Sequence, residues 1–259
     1  MSVTRDDAQG VWPLNARSLV LSVLLGLDPP ALTARSLVSL AELFGVAAGT
    51  MRTAISRMVA AGELTAADGE YRLVGRLLDR KAAQDIGRRP PPARWDGSWW
   101  VAAVTVPRRS VAERRAFRTE MTNRRMGELR PDTWMRPANL DAMPVSSASG
   151  VAAVRGPLDG VAATDLVSQL WPLDDLARQA ATLGELIADA EPDLDSGDPL
   201  ALTRTIALSA AAVRFLRAEP LLPPALVPPG WPVDRLRADY RSFDRAFGRV
   251  LTSTVRASG

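Results

Sequence analysis

Thr50, Arg52, Thr53, Ser56 and Arg57 share one arc of the helix that the stretch VAAGTMRTAISRMVAAGEL, Val46 to Leu64, predicts. The opposite arc holds Met51, Ala54, Ile55, Met58 and Val59 at helical spacing and is apolar. The polar arc combines short hydroxyls with two guanidinium forks, and no acid stands between Gly45 and Gly62. Such a face suits the DNA major groove. Arginine binds guanine through two parallel hydrogen bonds, and Ser or Thr bonds to phosphates or base edges. The alternative is a solvated surface face, although such faces ordinarily mix both charge signs.

Other chemistry is narrowed by what the chain lacks. Its 259 residues include no histidine and no cysteine. A Ser-His-Asp triad, a Cys-His pair, a zinc finger and a disulfide are therefore excluded. Carboxylate chemistry remains open. The formal net charge is only +3 and is distributed unevenly, at +2 over residues 1–89, +3 over 90–171 and −2 over 172–259. Binding to a polyanion would thus depend on where individual arginines stand rather than on a broad positive field. No apolar run is long enough to span a membrane, and the start, MSVTRDDAQG, has no apolar signal core. The expected location is the cytoplasm, with no membrane partner.

The elements that would position the polar arc follow from the flanking sequence. Asn15 to Leu27 predicts a helix with Val20, Val23, Leu24 and Leu27 on one face, stopped by Asp28-Pro29-Pro30. Thr33 is an N-cap candidate for a second helix that turns Leu37, Leu40 and Phe44 inward and ends at Gly45. Only a short turn then separates it from the basic-faced helix, as in a helix-turn-helix. Leu64 to Val74 predicts a hairpin about Asp68-Gly69, with Tyr71 and Leu73 alternating with Arg72. Three helices and a hairpin make a winged helix-turn-helix. Arg35, opening the second helix, and Arg72, in the hairpin, complete the expected DNA-binding set of Arg35, Thr50, Arg52, Thr53, Ser56, Arg57 and Arg72.

Gly75 to Ile86 reads as a short charged helix or linker. Gly87 to Pro92, with three consecutive prolines, reads as an extended boundary in which Arg88 and Arg89 are solvated. Beyond it, Ser98 to Val106 predicts a strand and Val111 to Arg125 a helix with a basic face of Arg114, Arg115, Arg118, Arg124 and Arg125. Leu129 to Pro137 and Gly150 to Val154 predict two more strands, and Thr164 is expected to cap a helix through Leu170. This order suggests a ferredoxin-like unit whose last strand has no evident position. The last third predicts helices over Leu173 to Asp189, over the almost uniformly apolar Pro199 to Arg217, and from an Asp234 cap through Val250. The second of these must be buried against neighbours or against a second chain. A proline-rich loop, Glu219 to Pro232, joins the second to the third.

Three ordered stretches give the chain a family resemblance. ARSLVLSVLLG with LFGVAAGTMRTAISRMVAAGEL, then WDGSWW with Arg115, Phe117-Arg118 and LRPDTWMRP, then LPPALVPPGWP, resemble the PaaX-type transcriptional repressors, named for control of phenylacetate breakdown. The resemblance spans about Asn15 to about Val250. It implies an α+β architecture of an N-terminal winged helix-turn-helix, a central ferredoxin-like (Cas2-like) domain and a C-terminal helical domain, at 1–87, 88–171 and 172–259. It also implies a non-enzymatic homodimeric repressor on a palindromic operator, without a cofactor and released by an acyl-coenzyme A effector such as phenylacetyl-CoA. The family commonly has Gly-Phe-Gly before its next strand and Gly after the proline. Here those positions are Arg125-Met126-Gly127 and Asp132.

Trp99, Arg115, Arg118 and Trp134 are the effector-binding candidates, as aromatic walls and phosphate-binding forks. For the tryptophans the alternative is ordinary core, since Trp99 and its strand neighbour Trp100 face opposite ways. Two other function classes compete. A Cas2-like metal-dependent nuclease would need acids near the end of the first strand, where this chain has Thr105-Val106-Pro107-Arg108-Arg109. A scaffold that no longer binds DNA would not need the arginine face.

Overall fold

Residues 15–92, 94–106, 109–140 and 150–257 are described in a computed structural model of the chain. Helix α1, Ala16–Gly26, starts at Asn15, whose side chain accepts from the Ser18 backbone N–H at 2.9 Å. Thr33 caps α2, Ala34–Leu43, by accepting from the Ser36 N–H at 3.1 Å, as its position predicts. Gly45 adopts φ +71°, and the Val46 N–H returns to the Ala41 carbonyl at 2.8 Å. That left-handed turn releases the chain into α3, Ala48–Ala60.

The hairpin consists of β2, Leu64–Ala67, and β3, Glu70–Leu73. Asp68 and Gly69 both have positive φ, 54° and 77°, the geometry that turns a two-residue hairpin without splaying its strands. A third strand, β1, Ala31–Thr33, pairs antiparallel with β3 and places it at the centre of the sheet. The sequence reading missed this strand, because three residues after Pro30 are too few to show alternation.

Helix α4, Arg76–Arg88, runs to the edge of the proline segment. It is a packed helix against α8, Leu200–Ala218, not a linker. Arg88 is accordingly half-buried rather than solvated. Gly87 lies so close to α8 that a Cβ there would stand 2.4 Å from the Leu216 carbonyl oxygen.

In the middle unit, β4, Trp99–Val104, pairs with β6, Thr133–Pro137, on one side and with β7, Val151–Gly156, on the other. The expected strand Leu129 to Pro137 is in fact a tight hairpin of β5, Gly127–Arg130, and β6. Its turn residue Asp132 has φ 67°. The antiparallel order β5-β6-β4-β7 is the ferredoxin-like one, and β7 fills the place of the strand that could not be assigned from sequence. The second helix, α6, Ala163–Leu170, follows β7 instead of preceding it.

Each face of this sheet has its own cover. Helix α5, Val111–Asn123, is fixed by a Ser110–Glu113 capping box and seats Phe117 and Met121 on Trp134 and Ala102. Opposite, Leu166, Val167 and Leu170 of α6 and Leu222 and Leu226 of the proline-rich loop cover Trp99 and Met135.

The C-terminal helices are α7, Leu173–Asp195, α8, and α9, Pro232–Ala257. Asp234 lies within the first turn of α9, which begins at Pro232, and ion-pairs with Arg237; it is not the cap. The apolarity of α8 has its explanation inside the chain, since Leu202, Ile206, Leu208, Phe215 and Leu216 are all buried. One apolar cluster runs unbroken from α1–α3 into α7–α9. The winged helix is thus built onto the C-terminal helices and shares their core.

Candidate nucleic-acid interface

Met51, Ile55 and Met58 anchor α3 in that core, which fixes the rotation of the helix. Thr50, Arg52, Thr53, Ser56 and Arg57 are consequently exposed. Val59, expected on the apolar stripe, is 36 % exposed instead. It stands one position beyond Met58, at the edge where the stripe leaves the core.

Among the described residues Arg52 and Arg57 have no ion-pair or hydrogen-bond partner. The Thr53 hydroxyl donates to the Gly49 carbonyl at 2.9 Å, so its acceptor lone pairs remain outward. The first turn of α3 has no side-chain cap and no acid, leaving backbone N–H groups and the positive helix end toward solvent. Thr50, Thr53 and Arg57 line a groove between α3 and the start of α1. Two members of the expected set stand apart. Arg72 lies on the central strand of the wing and is ion-paired with Glu70 at 2.7 Å, while Arg35 opens α2. Arg17, which the sequence reading passed over, clamps the start of α1 to Glu63 at 2.5 Å, just before the wing. Their hydrogen bond raises the arginine above and lowers the carboxyl below its ordinary range.

The four effector candidates are not brought together. Trp99 is buried on the α6 face of the sheet, edge-on to Trp95 at 5.9 Å. Trp134 is buried on the α5 face, edge-on to Phe117 at 6.4 Å. Arg118 lies 5.8 Å from the Trp134 ring centre and pairs with Glu128 at 2.6 Å, and Arg115 is exposed. Nor is the basic face of α5 continuous. Arg124 is tied to Glu120, and Arg125 is buried.

Arg125 belongs to a polar network that the sequence reading did not find. It donates to the carbonyls of Leu216 and Glu219, and Arg237 donates to the Glu219 carboxylate and, at 3.2 Å, to the Gly87 carbonyl. Arg136 donates to the Arg124 carbonyl at 3.1 Å and to Asn139, which in turn donates to the Leu221 carbonyl at 2.8 Å. Glu219 and Arg237 are each 1 % exposed. Burial pulls Arg125 and Arg136 down to about 10, which leaves both charged at neutral pH. These bonds join the middle unit, α4 and the C-terminal helices. A lone acid, Glu219, opening a proline-rich apolar stretch was the available signal, since a buried carboxylate requires a partner.

The description PaaX-like protein matches residues 15–79, and PaaX protein central Cas2-like domain matches residues 92–150. The chain belongs to the PaaX family. A solved structure, that of the uncharacterized protein Rv0674 from Mycobacterium tuberculosis, is 38 % identical and superposes with a TM-score of 0.74, covering 93 % of this chain and 99 % of that one. No curated protein matches. PaaX domains are those of a transcriptional regulator, and the matched residues cover the winged helix and three of the four strands of the central sheet, β4 to β6. At Arg125 and Asp132 the backbone is left-handed, with φ 59° and 67°. Glycine adopts that conformation without strain. Here Arg125 is held by its carbonyl partners, and Asp132 is ion-paired with Arg109.

No helix among the described residues is long and apolar enough to cross a membrane. Thr105 and Val106 follow β4, and no group of three acids among the described residues could hold a metal ion.

Proposed function

We propose that this chain is a ligand-responsive repressor that binds a palindromic DNA operator as a homodimer and is released by an acyl-coenzyme A effector. The observation that carries the DNA reading is the exposed face of α3. Its core-facing side is fixed by Met51, Ile55 and Met58, and its outward side presents Arg52 and Arg57 without partners among the described residues. An unpaired exposed guanidinium is free to exchange water and counterions for guanine edges or phosphates. Thr50, Thr53 and Ser56 supply the shorter contacts, and Arg35 and Arg72 flank them, Arg72 after giving up Glu70.

One such helix reads only a few base pairs. Two copies related by a two-fold axis would read half-sites one helical turn or a multiple apart, which is why the operator should be palindromic. The effector arm rests on PaaX membership alone, and an acyl-coenzyme A such as phenylacetyl-coenzyme A is the effector it brings.

The test is selection of bound duplexes from a random-sequence pool by the full-length protein, followed by sedimentation of the protein with and without the recovered duplex. The expected result is a two-fold-symmetric site occupied by two chains, with affinity falling as salt rises. Recovery of no preferred sequence, or one chain per duplex, would overturn it.

A further inference from the structure

A cleft of about 390 Å³ opens between α1, α4, α8 and α9. Its walls carry Arg17, Arg80, Arg88, Arg214 and Arg217, with Asp244 as the only acid among them. Its floor is apolar, with Leu21, Leu25, Ile206, Val213 and Phe247. Like charges are collected here from three helices. Arg80, Arg214 and Arg217 have no ion-pair or hydrogen-bond partner among the described residues. Burial, then Arg217 and Arg17, push the Arg80 guanidinium below its ordinary range. The arrangement costs electrostatic energy unless an anion is bound.

One further polar group in the same cleft is buried and unsatisfied. Beside it Gln84 lines the cleft, and its side-chain amide makes no hydrogen bond to the described residues. The Arg88 Nε–H is buried without a partner, although its terminal nitrogens reach Asp85, Asp244 and the Tyr240 hydroxyl. Buried polar groups in folded proteins are almost always paired, so this orphan beside an excess of guanidinium groups calls for a missing partner. A solvated arginine rim would explain Arg80 and Arg214 but not the buried Arg88 Nε–H.

We infer that this cleft binds a phosphate-bearing organic anion with a short apolar end. Several unpaired guanidinium forks match phosphate oxygens better than a single carboxylate, and the apolar floor matches a hydrocarbon or ring. The site also has a mechanical connection to DNA binding, and for that consequence it rests on the reading of the chain as a repressor. Arg17 lines the cleft and also clamps Glu63 at the end of α3. An anion that draws Arg17 into the cleft competes with Glu63 for it, and so loosens α1 against the recognition helix.

Binding is measured by calorimetry on the full-length protein without DNA, using phenylacetyl-coenzyme A, coenzyme A and phenylacetate as probes. A phosphate-bearing probe is expected to bind, and phenylacetate at least tenfold more weakly. Arg80→Ala combined with Arg217→Ala is expected to weaken that binding about tenfold or more at an unchanged melting temperature. Gln84→Leu is expected to weaken it while keeping or raising the melting temperature, which a purely structural glutamine would not do. Failure of both phosphate-bearing probes to bind, equal binding of phenylacetate, or unchanged affinity in either folded variant overturns the assignment. Because no DNA is present, these results are independent of the operator-selection experiment. A bound probe with no DNA binding would leave the site standing and remove the repressor reading instead.

Discussion

Arg52 and Arg57 on α3 and Arg125, Arg136 and Arg237 at the junction of the middle and C-terminal units are the same residue type in opposite circumstances. The first pair is exposed and has no partner among the described residues. The second group is nearly excluded from water, and each guanidinium is bonded to carbonyls, to an amide or to the Glu219 carboxylate. An arginine's task is set by what surrounds it. Where water is removed, the charge must be paid back by fixed acceptors, and the side chain becomes a strut. Where water remains, the fork is free for a partner from outside.

The largest effect should follow from breaking the buried side of this comparison. Glu219→Ala leaves Arg237 charged, 1 % exposed and without its buried acid. It is expected to cost roughly 3–5 kcal/mol, the usual range when one member of a buried pair is removed. Glu219→Leu with Arg237→Met should cost less than Glu219→Ala alone, since it removes both charges. Denaturant midpoints of the two variants decide this, and a double variant less stable than the single one would show that the pair itself is a net source of stability.

Ile55→Ala sharpens the contrast within α3. The side chain is 3 % exposed, so truncation should cost about 2–5 kcal/mol of stability. An unchanged melting temperature would mean that the rotation of α3 is wrong, and the exposed face with it. On the other side of the helix, Arg52→Ala and Arg57→Ala should each weaken operator binding by about 1–3 kcal/mol and leave the melting temperature alone. The smallest effect is expected at Val59, which the apolar pattern would bury. At 36 % exposure, Val59→Ser should shift stability by no more than about 0.5 kcal/mol, and a larger loss in thermal unfolding would restore it to the core.

Much of the winged helix was legible in sequence because local signals repeat there. The Thr33 cap, the Gly45 turn and Asp68-Gly69 each act within a few residues of themselves, and each is found where its chemistry places it. The central sheet was legible in part. Leu129 to Pro137 hides its turn because Pro131-Asp132 interrupts one run of strand-forming residues without a glycine, and Asp132 takes the left-handed conformation that a glycine would have advertised. The separation of the two tryptophans was not legible, for a different reason. Trp99 and Trp134 sit on neighbouring strands, and only the register between them shows that they face opposite ways. The arginine-lined cleft was invisible in sequence, because Arg17, Arg80 and Arg217 converge from helices far apart along the chain. Arg88 was misassigned for the same reason, its partners Tyr240 and Asp244 being contributed by the last helix.

The most direct measurement of the central claim is a fluorescence-anisotropy titration of the selected duplex with wild type and with the combined Arg52→Ala, Arg57→Ala variant, at several salt concentrations. If the free guanidinium groups of α3 are the reading surface, the variant melts with wild type, binds at least about tenfold more weakly, and shows a shallower dependence of affinity on salt. Equal affinity and an equal salt slope for the folded variant would contradict the account and move the DNA surface off α3.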